Sequence, residues 1–132
     1  MSIRATLAAA SLCLVAGAAQ AGDPTGVWAT EKNDEGRYLT VEVRACGEAM
    51  FCGFILNGHT ADGTADPDYE HKGRQMIFDM VADGENQWDD GEIWAPDDDE
   101  TYSANMELKD DVLTVEGCVL IICRGQDWTR VN

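Results

Sequence analysis

The chain has 132 residues, with 9 Lys+Arg against 25 Asp+Glu and a formal net charge of −16. That length is one domain with room for a single core. So acidic a surface repels nucleic acid and anionic membrane, which are held through basic patches, and excludes nucleic-acid binding as a function.

The first stretch has the order of an export leader. Met1-Ser2-Ile3-Arg4 carries one positive charge, no residue from Ala5 to Ala19 is charged, and Ala19-Gln20-Ala21 places small residues where a signal peptidase reads. The expectation is a signal peptide over residues 1–21, cleaved after Ala21. A mature domain of residues 22–132 would then reside in the periplasm or be secreted. The apolar run falls short of the ~20 residues that span a bilayer, so no membrane span is expected. Cys13 lies inside that run behind Leu12, a bulky residue that does not suit lipid attachment at Cys13.

Strand signals follow. Gly26 to Thr30 opens the series. In Tyr38 to Ala45, Leu39, Val41 and Val43 alternate with Thr40, Glu42 and Arg44, the period of a half-buried strand. Met50 to Leu56, Met76 to Val81, Trp88 to Trp94, Tyr102 to Leu108, Val112 to Glu116 and Asp127 to Val131 are further strands. Asn33-Asp34-Glu35-Gly36, Asp83-Gly84-Glu85-Asn86, Pro96-Asp97-Asp98-Asp99 and Lys109-Asp110-Asp111 supply turns between them. Many short strands with no helical stretch predict an all-β fold, an antiparallel barrel or sandwich.

Four cysteines remain once Cys13 leaves with the leader: Cys46, Cys52, Cys118 and Cys123. An even count in a small exported domain predicts disulfides. Of the three pairings, Cys46–Cys52 and Cys118–Cys123 are expected, because each pair is close in sequence across a hairpin-like segment. Rings this small stabilise by only roughly 2 kcal/mol each through loop entropy. Cys46 and Cys52 are too far apart for the two-to-four-residue gap of structural zinc sites, and Cys118 and Cys123 sit at its upper limit.

Asn57 to Gly73 breaks the rhythm and predicts a long polar loop. It contains His59, Asp62, Asp66, Asp68, Glu70 and His71. Oxygen ligands at Asp62, Thr64, Asp66 and Asp68 would suit calcium, although the spacing misses the EF-hand pattern and a solvated acidic loop is the simpler expectation. No other cofactor is implied. Catalysis has no constellation to stand on: Ser103 is the one serine after the leader, and no glycine-flanked elbow surrounds it. Tyr38, Trp88, Trp94 and Tyr102 are the candidate ligand-binding aromatics, with barrel filling as their alternative role.

The chain resembles the family of exported bacterial proteins designated DUF2147. The resemblance rests on Gly26-Val27-Trp28, the alternating strand ending at Cys46, and Phe51-Cys52-Gly53-Phe54-Ile55. It continues through Asp66-Pro67-Asp68, Gly91-Glu92-Ile93-Trp94-Ala95-Pro96, Leu113 to Cys118, and Cys123 followed by Trp128-Thr129-Arg130. The sequence departs from that pattern at Asp66, where the family more often has Asn, and at Val119-Leu120-Ile121, where a glycine is more usual. The resemblance implies a small lipocalin-like β-barrel, with Trp28 and Arg130 stacking to close its base, and carries no activity of its own. By fold analogy, the expected function is binding of a small apolar molecule or cell-envelope component. The alternatives are a filled, ligand-free interaction module and a calcium-responsive acidic module.

Overall fold

A computed structural model describes residues 22–132; the expected leader, residues 1–21, lies outside the described residues. The strands are β1 (Gly26–Ala29), β2 (Tyr38–Gly47), β3 (Met50–His59), β4 (Ala65–Asp66), β5 (Gln75–Ala82), β6 (Gln87–Ala95), β7 (Glu100–Lys109), β8 (Val112–Val119) and β9 (Ile122–Arg130). Among the described residues there is no helix. Hydrogen-bonded neighbours run β2-β1-β9-β8-β7-β6-β5-β3-β4, and β2 also pairs with β3, so the sheet closes on itself. The two-residue β4 only extends the end of β3, through Gly58↔Asp66 and His59↔Ala65. Eight strands therefore form a closed, antiparallel, up-and-down barrel. Closure leaves no free edge to pair with another chain.

Alternation decides what fills it. Partners across a ladder point to the same face, so Met106↔Val115, Leu108↔Leu113 and Leu113↔Trp128 form rows on the inner wall. Trp28, Val41, Ile55, Ile77, Met80 and Leu113 are completely buried there. Fully burying such a side chain contributes roughly 1.5–3 kcal/mol, so this cluster is the main source of stability. Bends are needed where the sheet curls shut. Pairing shifts along β5 and β6, where Asp79 (φ 50°) and Asp90 (φ 59°) adopt left-handed backbone. Aspartate tolerates that conformation better than most side chains, and bulges of this kind re-aim a strand. Gly91, on the same bend, sits so close to Met80 that an added Cβ would lie 2.6 Å from its sulfur.

The two ends differ. One is crossed by the β2–β3, β5–β6 and β7–β8 turns and by the N-terminal residues 22–25. There the Trp28 indole donates to Pro24 O at 2.8 Å, and the Arg130 guanidinium lies 4.3 Å from the centre of the Trp28 ring. Arg130 also donates to Thr25 O at 2.9 Å and Asp23 O at 3.1 Å, and pairs with Asp111 at 3.2 Å. This end is the base. The other end, the mouth, is ringed by residues 30–37, the 60–74 segment, the 96–99 turn and the tip of the β8–β9 hairpin. One disulfide sits at each end: Cys46–Cys52 ties β2 to β3 near the base, and Cys118–Cys123 ties β8 to β9 near the mouth, with Cα separations of 5.7 and 4.1 Å.

Strands β3, β8 and β9 are longer than their sequence pattern predicts. Strand β3 continues to His59, with Asn57, Gly58 and His59 paired to Thr40, Leu39 and Tyr38, so the expected loop from Asn57 begins three residues later. Strand β9 begins at Ile122 rather than Asp127, and β8 reaches Val119. These extensions lie at the mouth, where the inner face is not dry and the apolar alternation lapses.

Arg130 carries the closure, so replacing it has a definite expected cost. Arg130→Ala removes two charge-assisted hydrogen bonds to backbone and one cation–π contact, and is expected to destabilise the barrel by about 2–4 kcal/mol in a denaturant melt. Arg130→Lys should recover less than half of that, because an ammonium cannot stack on Trp28 and bridge two carbonyls at once.

Candidate functional site

The inner wall is filled only in its lower part. Towards the mouth it opens into a cavity of about 890 Å³, within the range of small-molecule sites. Leu39, Met76, Ile93, Val115 and Trp128 form its apolar wall and floor. Glycines widen it: Gly117 faces inward opposite Arg124, and an added Cβ there would be 3.3 Å from Ile93 Cγ2. Gly58 lets the Tyr69 ring fold against the β3 backbone, where a Cβ would stand 2.6 Å from the ring. Tyr69, brought in by the 60–74 segment, also lines the cavity.

Strand β9 gives the wall its polar strip. Trp128 is buried and inward-facing; the unbroken pairing with β8 therefore turns Gln126, Arg124 and Ile122 to the same face. The Gln126 side-chain oxygen accepts the Trp128 indole proton at 3.0 Å. Arg124, next towards the mouth, makes no ion pair among the described residues, although Arg37, Arg44, Arg74 and Arg130 each have a carboxylate within 4.0 Å. Beyond Gly117, on β7, the Tyr102 hydroxyl donates to Asp98 at 2.7 Å. That hydrogen bond, with some burial and the charges of Asp98 and Glu100, raises the Tyr102 phenol above its ordinary value, while Arg124 acts the other way. Burial, followed by the charges of Asp97 and Glu70, raises Tyr69 likewise. Both phenols therefore stay protonated hydrogen-bond donors at neutral pH. Tyr38 stacks on His59 with ring centres 4.6 Å apart, and the His59 Nδ1 donates to Gly63 O at 3.0 Å, fixing this side of the rim.

Of the four aromatic residues singled out in the sequence, Tyr38 and Tyr102 line the cavity and Trp88 and Trp94 do not. Trp88, paired with Met106, fills the base, edge-on to Phe51 with ring centres 6.0 Å apart. Trp94 alternates with inward-facing Ile93 and so lies on the outer face. It is nonetheless only 4% exposed, because Arg74 lies 3.4 Å from its ring centre and His71 packs edge-on at 4.9 Å. Its indole donates to Asp99 at 2.9 Å, so this cluster pins the end of the 60–74 segment to β6. Arg124 and Gln126 escape a search for apolar alternation, because polar residues on a β-strand read as its solvent face.

The acidic loop residues are spent on local turns. Asp62 accepts from the Thr60 hydroxyl and, at 2.9 Å, from the Thr64 amide; Asp66 accepts from the Asp68 amide at 3.0 Å and lies 3.9 Å from Arg37. Asp62, Asp66 and Asp68 are not gathered around one point. Among the described residues, the compact His/Cys/Asp/Glu groups are Cys46–Cys52–Asp79 and Glu116–Cys118–Cys123, each two-thirds disulfide sulfur. Oxidised sulfurs are not the thiolates that bind metal. Ser103 pairs with outward-facing Glu92 and points away from the cavity.

Hydrogen bonds from Thr60 and then Thr64 lower Asp62 from 3.8 to about 2. The shift is downward on folding, so the turn's contribution is complete above about pH 4 and is lost as pH falls through 2. A carboxyl-carbon NMR titration is expected to show Asp62 inflecting near 2; an inflection near 3.8 would show that the Thr60–Thr64 turn is not held in solution.

No curated protein matches the sequence significantly. Among solved structures, protein HP1028 of the human pathogen Helicobacter pylori, described as belonging to the lipocalin family, superposes with a TM-score of 0.65 at 14% identity. The match covers 83% of this chain and 84% of that one. At that identity the likeness shows the fold alone: a lipocalin-like barrel. The family model for DUF2147, described as an uncharacterized protein conserved in bacteria, matches residues 26–130, from the first strand through the arginine that closes the base. The chain belongs to that family.

Proposed function

We propose that this protein is an exported carrier or receptor that holds a small, elongated apolar molecule in the upper half of the barrel, with an anionic end at Arg124. The observation that carries the reading is the cavity itself: about 890 Å³, closed below by the packed base and open above, with an apolar wall and one inward-facing arginine without a carboxylate partner. An arginine in such a place favours an acid over an alcohol, because its guanidinium can hold a carboxylate or phosphate with two parallel hydrogen bonds. Tyr69 adds a phenol to the same cavity lining. The leader pattern of residues 1–21 and the two disulfides support a site of action outside the cytoplasm. The filled-barrel alternative describes the lower half of this barrel; the mouth half is hollow.

Binding of a fluorescent long-chain fatty acid to residues 22–132 tests the reading. Gly117→Leu places a side chain in the cavity and is expected to weaken binding at least tenfold while leaving the fold's melting temperature within a few degrees. Arg124→Ala is expected to weaken the acid about tenfold, roughly 1.4 kcal/mol, and leave the corresponding fatty alcohol unchanged. Equal loss for acid and alcohol would contradict the assignment of Arg124. Saturable binding that survives Gly117→Leu unchanged would contradict the site.

A further inference from the structure

The β8–β9 hairpin ends in four consecutive aliphatic residues that the barrel does not bury. Val119 is 56% exposed, Leu120 and Ile121 each 95%, and Ile122 68%. The other large exposed hydrophobics among the described residues, Val81 and Val131, lie towards the base. A single exposed leucine is ordinary, but a run of four at one protruding turn is not.

The turn's own geometry sharpens the point. Leu120 has φ 55°, in the left-handed region that favours glycine or asparagine. A bulky leucine is strained there, and at 95% exposure it gains no packing in return. A local rule broken without compensation inside the molecule marks a residue held for contact outside it. Nor is the tip free to fold down: Cys118–Cys123 bridges the hairpin immediately beneath it, and Val119 pairs with Ile122.

We infer that this tip is a lipid-contact element that seats the barrel mouth on a bilayer surface of no net charge, so that the apolar ligand passes between membrane and cavity. Size, charge and position choose that occupant. A stable protein interface takes roughly 20–30 residues a side, and the apolar surface here is four residues long. A second copy would bring another net charge of −16 against the first, which opposes pairing through so small a contact. A bilayer needs no shape match and accepts two protruding aliphatic side chains as they stand. The same charge excess disfavours anionic lipid. The cavity mouth itself carries both signs, Lys32 and Arg124 beside Asp97 and Asp98, which suits headgroups that also carry both. Finally, Val119 and Ile122 also line the cavity opening, so the apolar tip adjoins the entrance to the cavity.

The passage of ligand rests on the cavity reading above; the lipid contact does not, and the test separates them. Residues 22–132, oxidised, are floated with phosphatidylcholine vesicles, alongside the double variant Leu120→Asn, Ile121→Asn and the cavity variant Gly117→Leu. The expected result is flotation of wild type and of Gly117→Leu, and at least tenfold weaker vesicle affinity for the double variant. The double variant's melting temperature should be equal or higher, because asparagine suits the backbone at position 120. Flotation of Gly117→Leu would uphold the tip even if wild type bound no fatty acid. Wild type remaining with the buffer would overturn the tip, whatever the fatty-acid result. Equal flotation of the double variant would overturn it too, as would a tip-dependent dimer in sedimentation that does not float.

Discussion

Everything above the base depends on the ladder between β1 and β9 and on the arginine that fastens it. Trp28↔Arg130 and Ala29↔Thr129 pair the first strand with the last, and Val27 extends the seam through backbone hydrogen bonds with Val131 and Asn132. So short a seam is weak by itself. Arg130 reinforces it by stacking on Trp28 while holding the carbonyls of Asp23 and Thr25, so the N-terminal residues lie across the base as a floor. The Trp28 indole adds its hydrogen bond to Pro24 O from inside. With the floor fixed, the lower interior can be packed dry and the upper interior can stay hollow without the sheet opening.

That division of labour explains the placement of the large side chains. Below, Met80, Met106 and Leu113 meet Trp28 and Trp88, and no buried side-chain nitrogen or oxygen among the described residues is left without a partner. Above, the wall is kept wide by Gly58 and Gly117, and its polar groups are held by specific partners: Gln126 by Trp128, Tyr102 by Asp98, His59 by Gly63 and Tyr38. Each such contact keeps a rim side chain out of the opening. Arg124 is the exception, an inward cation that makes no ion pair among the described residues.

The legibility of the sequence followed the same boundary. Residues 39–43, 102–108 and 112–116 lie where one face is dry and the other wet, so period-two alternation declared them strands, and the local disulfide pairs followed from hairpin spacing. At the mouth the inner face is itself wet. Asn57 to His59 and Arg124 to Gln126 are inward or rim segments of true strands that looked like loop, and the inward-facing arginine was hidden among them. Aromatic content misled in the opposite way. Trp94 looked like a pocket residue, yet bonding to Asp99 and stacking under Arg74 bury it on the outer wall, a contact between segments that periodicity cannot foresee.

The account's central claim is a barrel packed below and receptive above, and a site-resolved titration tests it most directly. Methionine-methyl, aliphatic-methyl and indole NMR signals of residues 22–132 would be followed during addition of a long-chain fatty acid. The account predicts saturable shifts at Met76, Ile93, Val115 and Trp128, with Trp28, Met80 and Met106 unmoved. Shifts spread equally through the base, or confined to the exposed exterior, would contradict it.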